Sequence, residues 1–355
     1  MVKQVTSISS AQSAKTPIYI GLDVHKTKWV VSIYHGPEHQ QTYSMNAIAQ
    51  QLLEKLDRNY TGHQVTLCYE AGFMGYWLQR KLVQQGYQCL VVHPADIPSS
   101  DFNKRRKNDK LDSKHLALML SRHLLKSIYI PSTQQEQIRE LVRLRINLNK
   151  DKRRQMNRIR AYLNRHGIQL PAELKTKLWT KRGQLWIKQQ ANTHWPVGQL
   201  LEAYLHKGEQ EKQIKKQLAQ QIHNSSYNST FNALMSVPGI GFCTATLLIG
   251  ELGEMNRFKN LDKLASYCGL VPDIRASADK VKVLGVTQRA NRRLRTALIE
   301  CAWITTRFDP HMARIYAQAI EQGKKPQKAI IKVARKLLAR IRAVWKTQQA
   351  YCKAA

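Results

Sequence analysis

The chain has 355 residues, 43% of them hydrophobic, and its 57 lysines and arginines against 24 aspartates and glutamates give a formal net charge of +33. This length predicts roughly two or three domains with enough sequence for buried cores. A charge this large repels itself unless a polyanion is bound, which leaves nucleic acid or an anionic membrane surface as partner. We find no apolar run of spanning length, no signal peptide and no lipidation motif, so the sequence favours nucleic acid and no membrane partner.

The cysteines and histidines show no metal-binding spacing. The six cysteines form no C-x-x-C pair and lie mostly in apolar surroundings, and the twelve histidines form no H-x-x-x-H or Cys/His cluster. This pattern predicts reduced core thiols and excludes a zinc site or a disulfide framework.

The first 130 residues alternate short apolar strands with helices. Residues 1–16 are polar and are predicted to be a disordered tail. The elements that follow have the order β-β-β-α-β-α-β-α. They are strands at 18–24, 29–34 and 41–45, a helix at 47–57, a strand at 65–69, a helix at 76–85, a strand at 88–93 and a helix from about 109 to 125.

That order is typical of a mixed sheet with helices on its faces, because hairpins join the first three strands and helical crossovers join the others. It is also the order of the ribonuclease-H-like fold, of which RuvC-type nucleases are one branch. We therefore predict an α/β RuvC-like domain over residues 17–130.

The rest of the chain is predicted to be mostly α-helical. A long helix at 134–165 has an apolar stripe with strongly basic faces beside it, and it opens a basic helical or coiled-coil linker region over 131–230. The Asn/Ser run at 224–229 ends that region. A C-terminal domain is predicted over 231–348, with a basic helix at about 327–345.

Four acids are candidates for a metal site. Asp23 and Glu70 end two strands that should be neighbours in this topology, while Asp109 and Asp112 lie three residues apart on one face of a helix. A cluster of like charges is unfavourable unless a cation neutralises it. Oxygen ligands without His or Cys favour Mg²⁺ or Mn²⁺, which serve in phosphoryl transfer.

Each of these acids also has a simpler interpretation. A strand-terminal aspartate is often a turn residue, Asp109 could cap its helix, and Asp112 could be a first-turn acid favoured by the helix dipole. We favour the metal site because all four acids fit one arrangement.

The C-terminal region contains a glycine-rich turn and a serine of interest. Gly239 and Gly241 lie between two helical segments in an arrangement that resembles a helix-hairpin-helix element, whose backbone N–H groups contact phosphate. The alternative is an ordinary tight turn between packed helices. Ser277 is predicted to lie in a loop, and no histidine lies nearby in the sequence to act as its base.

Basic clusters along the chain are predicted to contact nucleic acid, although a charge run is usually a solvated face. Few acids accompany these clusters, which favours phosphate contact. The candidate residues are Lys104, Arg105, Arg106, Arg153, Arg154, Arg158, Arg292, Arg293, Arg335 and Lys336.

Six short motifs together resemble the DEDD transposases of the IS110/IS1111 insertion-sequence family, which includes the Piv DNA invertases. The resemblance covers almost the whole chain and is least distinctive over 170–230. The motifs are IGLDVHK at 20–26, YEAG at 69–72, NDKLDS at 108–113, VPGIG at 237–241, GLVP at 269–272 and ARKL at 334–337.

The resemblance implies a DNA recombinase with a RuvC-like domain whose four acids match Asp23, Glu70, Asp109 and Asp112. It also implies a C-terminal transposase domain whose nucleophilic serine, matched by motif position to Ser277, forms a covalent link to DNA. The partners it implies are donor and target DNA, a non-coding bridge RNA and further copies of the chain in a dimer or tetramer. The expected location is the prokaryotic cytoplasm, at the nucleoid.

The sequence departs from the family pattern at Ala278 and Ala290, where glycine is common. Alanine would carry strain there if either position needs a positive φ. Two alternatives to the recombinase remain open at this point. One is a RuvC-type endonuclease with water as nucleophile, and the other is a basic nucleic-acid-binding protein without catalysis.

Overall fold

A computed structural model describes residues 16–98, 109–277, 280–287 and 289–352, without the side chains of 273–277 and 280–285. The predicted disordered tail therefore lies outside the described residues, except for Thr16. The chain divides into two compact units on either side of the Ile130–Pro131 bond.

The first unit is a five-stranded mixed sheet of order β3-β2-β1-β4-β5. Strands β1 and β2, and β2 and β3, pair antiparallel, whereas β4 lies parallel to both β1 and β5. This confirms the predicted mixed sheet and the pairing of the first and fourth strands. The elements are β1 Ile18–Val24, β2 Lys28–His35, β3 Glu38–Asn46, α1 Ala49–Tyr60, β4 Val65–Glu70, α2 Trp77–Gln84, β5 Gln88–Val92 and α3 Asp109–Ser121.

Helices cover both faces of this sheet because successive strand residues point to opposite sides. Ile20 and Leu22 of β1 pack into one apolar cluster with residues of α1 and α2. Tyr19 packs into the cluster on the opposite face, to which α3 contributes Leu116 and Ala117. The first unit thus has three layers, and α3 alone among the described helices covers the second face.

The second unit is mainly helical, as predicted, and also contains a two-stranded hairpin. Its elements are α4 Thr133–Arg165, α5 Lys181–Gln190, α6 Trp195–His223, α7 Asn228–Met235, α8 Phe242–Leu252, α9 Leu261–Tyr267, β6 Pro272–Ser277, β7 Lys280–Val286, α10 Arg292–Phe308, α11 Pro310–Glu321 and α12 Pro326–Thr347.

Helices α4 and α6 run antiparallel along each other. Asn149 contacts Glu211 near the middle of the pair, and Ile159 shares a small apolar cluster with Leu201 towards the end where α4 finishes and α6 begins. This places an intramolecular helix pair where the sequence suggested a short coiled coil.

The predicted boundary at residues 230/231 does not separate two cores. One apolar cluster contains Ile138 of α4, Leu218 of α6 and Leu248 of α8, together with residues of α10 and α12. The predicted 224–229 linker is a short connection, and α7 begins within it at Asn228. The linker region and the C-terminal domain therefore share one core, because the apolar stripes of α4 and α6 pack against the helices that follow.

Two further expectations concern thiols and membranes. The cysteines are free, and four of them, at 68, 89, 268 and 301, are buried. Among the described residues, no helix combines the length and the apolar character that crossing a bilayer requires.

Candidate metal centre and nucleic-acid surfaces

Three side chains meet at the carboxyl end of β1. His25 Nε2 lies 3.1 Å from Asp23 Oδ2 and 3.6 Å from Asp109 Oδ2. One ligand atom from each of the three residues lies within 4.8 Å of the other two, so together they could hold a metal ion. Asp23 is the second-to-last residue of β1, His25 begins the turn into β2, and Asp109 is the first residue of α3.

Gly21 brings α3 to this edge of the sheet. A Cβ atom at this position would lie 2.2 Å from the carbonyl oxygen of Ser113 and 2.5 Å from the amide nitrogen of Ala117. Only a residue without a side chain lets the helix backbone approach the strand this closely. Since Asp23 is two residues further on the same face of β1, the close approach places the start of α3 beside it.

Buried polar contacts fix the helix in this position. Ser113 Oγ and Ser32 Oγ lie 2.9 Å apart, and the Ser32 hydroxyl also contacts Thr42 Oγ1 at 2.8 Å. On β4, Cys68 Sγ donates to the Leu116 carbonyl at 3.7 Å. These contacts tie α3 directly to β2 and β4, and a buried hydroxyl without its partner would be unfavourable.

The arrangement raises the pKa of Asp23. Burial is the largest cause, and His25 acts against it, while the negative charges of Asp109 and Asp112 raise the pKa further. Repulsion among carboxylates in a partly buried site is the condition that a bound cation relieves.

The structure places the other two predicted acids at the same edge without bringing them into the three-residue cluster. Glu70 follows Tyr69, the register partner of Leu22, just as Asp23 follows Leu22. Asp112 is one helical turn from Asp109 and is close enough to act on Asp23. Asp23 and Asp109 are therefore brought together, with Glu70 and Asp112 beside them.

Sequence reasoning missed His25. It treated the histidines as lacking any metal-binding pattern and described the site as purely carboxylate. The signal was the spacing of Asp23 and His25, two residues apart at the end of an apolar strand, which places both on one side of the chain. The pairing with Asp109 comes from the packing of α3 and has no counterpart in sequence spacing.

Ser277 lies at the end of a strand, so the prediction of a loop serine is wrong. It is the last residue of β6 and pairs with Lys280 of β7. The strand signal lies in β7, where lysine and valine alternate over residues 280–283, and sequence reasoning missed it. Ala278 lies outside the described residues. Ala290 is described and is not among the residues with positive φ, so the alanine at this position carries no strain of that kind.

A buried polar network lies at the base of this hairpin. Arg143 of α4 donates two hydrogen bonds, 2.7 and 2.8 Å long, to the carboxylate of Glu251, which is 1% exposed. Asn291 donates to the same carboxylate at 2.8 Å, and its own side-chain oxygen caps α10. The backbone N–H of Asn291 also donates to the Tyr267 carbonyl. The network thus joins α4, α8 and the segment that follows β7.

The pKa of Glu251 reflects this network. Burial alone would raise it, but the hydrogen bonds from Arg143 and Asn291 and the charges of Arg143 and Arg139 lower it below its ordinary value. Glu251 is therefore held as a carboxylate.

The basic residues of α4 divide into two groups. Arg143 pairs with Glu251, and Lys152 pairs with Glu211 at 3.2 Å, so these cations are neutralised within the unit. The three α4 residues predicted to contact nucleic acid are exposed, although Arg154 also pairs with Asp151. Those three are Arg153, Arg154 and Arg158.

The remaining basic candidates differ in their surroundings. Arg292 and Arg293 are exposed at the start of α10, and Lys336 is exposed on α12. Arg335, in contrast, donates to Asp262 at 2.9 Å and to the Leu270 carbonyl at 3.4 Å, so it acts at least partly within the fold. The cluster at 104–106 (Lys104, Arg105, Arg106) lies outside the described residues.

The two glycines of the VPGIG turn have different roles. Gly239 has φ +84°, and a Cβ there would lie 2.8 Å from Thr305 Oγ1, so this glycine permits close packing against α10. Gly241 precedes α8 and has open space around it, and no side chain caps that helix. The packing interpretation therefore holds for Gly239, while a phosphate contact at Gly241 stays a prediction.

A mixed five-stranded sheet with acids at one edge, followed by a strongly basic helical unit, is consistent with a DNA-processing enzyme of the ribonuclease-H-like class. Comparison with known families makes this specific. The IS110 DEDD transposase model, described as a transposase, matches residues 20–168. A second model, described as the transposase IS116/IS110/IS902 family, matches residues 231–317.

Individual relatives agree with these matches. The chain is 28% identical to a putative transposase of Sinorhizobium fredii over 91% of its own length and 81% of that protein. It is 25% identical to the transposase for insertion sequence element IS1328 of Yersinia enterocolitica, over 69% of each chain. It is 24% identical to the transposase for insertion sequence element IS1111A of Coxiella burnetii, over 65% of this chain and 63% of that one.

The chain belongs to the IS110 family of insertion-sequence transposases. This confirms the family named from the sequence motifs. It implies an enzyme that cleaves and rejoins DNA.

Proposed function

We propose that the chain recombines DNA at the carboxylate edge of its first unit, with a divalent cation, Mg²⁺ or Mn²⁺, held by Asp23, Glu70, Asp109 and Asp112. The observation that carries this proposal is the meeting of Asp23 and Asp109 beside His25 at one end of the sheet. The donor set fits, because carboxylate oxygens are the preferred ligands of both ions. A bound ion would supply Lewis-acid polarisation of the scissile phosphate.

The residues of the chain have distinct tasks in this proposal. Asp23 is half-buried and fixed at the end of β1, so it defines the position of the reacting phosphate. Asp109 is exposed at the first turn of α3 and can adjust to the substrate. The two remaining ligands are Glu70, at the matching position on β4, and Asp112, one turn into α3.

We propose Ser277 as the attacking group. Its oxygen would form a bond to the scissile phosphorus while the bond from phosphorus to a deoxyribose oxygen breaks, and that oxygen would take up a proton. A hydroxyl of a second strand would later displace the serine. The ester conserves bond energy, so the reaction needs no ATP. The family motif position and the place of Ser277 at the end of β6 support this role.

The acids and the serine belong to different units of the chain. The proposed reaction therefore requires both units, from one chain or from two subunits, to meet on the same phosphate. Serine is a weak nucleophile at its own pKa, so this meeting is what would activate it.

The test uses the full chain with Mg²⁺ and a labelled DNA duplex that spans the flank of its own gene. We expect a covalent protein–DNA adduct that withstands denaturing electrophoresis. Ser277→Ala and Asp23→Asn should each abolish it, whereas the exposed-site variants Ser266→Ala and Glu54→Gln should not. An adduct that persists in S277A would refute the role of Ser277 as the nucleophile. Cleaved DNA ends without attached protein would support water as nucleophile.

A bridge RNA and a homo-oligomer are further parts of the proposal, and the exposed cations Arg153, Arg158, Arg292 and Lys336 support a nucleic-acid partner. The chain should co-purify with one predominant RNA transcribed next to its gene. Sequencing of the bound RNA and the mass of the complex by light scattering test both parts. A heterogeneous RNA population on a monomer would contradict them.

A further inference from the structure

We infer that His25 is a direct ligand of the divalent ion in the first unit, and that it biases the site towards a first-row transition cation of the Mn²⁺ kind over Mg²⁺. This inference rests on the metal site proposed above and goes beyond it, because the carboxylates alone do not distinguish the two ions. The imidazole sits between Asp23 and Asp109 and contacts both.

The distances among these ligand atoms are compatible with one shared ion, although the contact between His25 and Asp23 is also a hydrogen bond in the absence of an ion. Neighbouring ligands of an octahedral ion with bonds of about 2.1 Å lie about 3.0 Å apart, and opposite ligands about 4.2 Å apart. His25 Nε2 is 3.1 Å from Asp23 Oδ2 and 3.6 Å from Asp109 Oδ2, which are within that span. The three ligand atoms all lie within 4.8 Å of one another, and the exposed side chain of Asp109 has room to adjust to an ion.

The backbone holds His25 in place for this role. Its amide donates to the Lys28 carbonyl at 3.2 Å, which closes the turn between β1 and β2. Its carbonyl accepts a hydrogen bond of 3.1 Å from the indole of Trp29, a fully buried side chain. These contacts fix the backbone of His25, so its half-exposed side chain starts from a defined position next to Asp23, as preorganised metal centres require.

The choice of ion follows from donor chemistry. Mg²⁺ is a hard cation that takes oxygen ligands and keeps much of its water. Imidazole nitrogen suits first-row transition ions such as Fe²⁺ and Zn²⁺, and Mn²⁺, the weakest binder of that series, still accepts nitrogen more readily than Mg²⁺ does. Coordination through Nε2 requires the neutral ring with its proton on Nδ1. The inferred site adds one nitrogen ligand to the carboxylates, so His25 is the ligand that distinguishes between the two ions.

Mn²⁺ itself serves as the probe, since its paramagnetism reports on its ligands without any enzymatic turnover. We expect the purified full chain to bind Mn²⁺ and to show nitrogen modulation in pulsed electron paramagnetic resonance. His25→Ala should remove that modulation and weaken Mn²⁺ binding by about 10–100-fold, with Mg²⁺ binding, measured by competition, weakened less than about threefold. His206→Ala, a change at an exposed histidine of α6, should leave both unchanged.

The outcomes separate this inference from the proposed function. If Asp23→Asn abolishes Mn²⁺ binding but the wild-type spectrum lacks nitrogen modulation, His25 is not a ligand, the inference is overturned, and the carboxylate site stands. If Mn²⁺ binding is the same in wild type and Asp23→Asn, both are overturned. A His25→Asn variant adds a check, because its amide oxygen should keep Mg²⁺ binding at the wild-type level while the nitrogen signal stays absent; a retained signal would contradict coordination by the imidazole.

Discussion

Replacement of Gly21 by alanine should separate the strand from the helix that together position the acids. The new Cβ would lie 2.2 Å from the Ser113 carbonyl oxygen and 2.5 Å from the Ala117 amide nitrogen. Both are backbone atoms, so no side-chain rotation relieves the overlap, and α3 must move by about an ångström to reach ordinary contact.

The energetic effect can be worked from the contacts. Overpacking of this kind costs about 1–3 kcal/mol. A shift of α3 would also weaken the buried contact between Ser113 and Ser32, worth about 1 kcal/mol. We therefore expect Gly21→Ala to destabilise the first unit by about 2–4 kcal/mol, and to weaken Mn²⁺ binding because Asp109 moves away from Asp23.

Denaturant unfolding of the full chain, followed by circular dichroism, measures the loss of stability. The electron paramagnetic resonance titration measures the loss of Mn²⁺ affinity. Gly208→Ala is the control, since Gly208 is inside α6 with open space around it and alanine there should stabilise the helix by up to about 1 kcal/mol. A Gly21→Ala protein with unchanged stability and cation affinity would refute the view that backbone approach positions this site.

Further predictions concern the second unit. Glu251→Gln should destabilise it by about 2–4 kcal/mol, because Arg143 loses its carboxylate, and calorimetry checks this. Because folding lowers the pKa of Glu251, its carboxylate should stabilise the fold above its ordinary pKa of 4.5, and this stability should be lost as the pH falls through the folded-state pKa. The free energy of unfolding of the wild type should therefore fall on acidification, and it should fall less in Glu251→Gln. Asp309→Asn keeps the cap of α11 but should lower the melting temperature, because Arg340 Nη1, 2.7 Å away, is left without its partner. Arg158→Gln should weaken DNA binding uniformly across sequences and reduce the slope of log affinity against log salt by about 1.

The sequence predicted those features that follow from local pattern and topology. The apolar run at β1 and the crossover helices fixed the neighbours of each strand, and therefore which acids share an edge. Asp23 and Glu70 could be placed this way because they end adjacent parallel strands. The helix of Asp109 and Asp112 was visible, but its position on the sheet depends on Gly21, whose role appears only when two backbones are seen in contact.

Other features were hidden because they arise from packing between distant segments. The apolar stripes of α4 and α6 predicted helices correctly, but a stripe does not specify its partner, and these pack into the core that also contains α8 and α12. Glu251 gave no signal in the sequence, since its partners Arg143 and Asn291 are 108 and 40 residues away.

The fold explains why a strongly basic chain keeps acids together at one sheet edge. Gly21 and the buried serine pair hold α3 against β1 whether or not a cation is present, so the backbone positions that carry Asp23 and Asp109 stay close together. The pKa of Asp23 is raised by burial first and then by the negative charges of Asp109 and Asp112. Because the packing energy of α3 maintains the arrangement in advance, little reorganisation remains when an ion arrives, and its binding energy is available to hold the DNA phosphate.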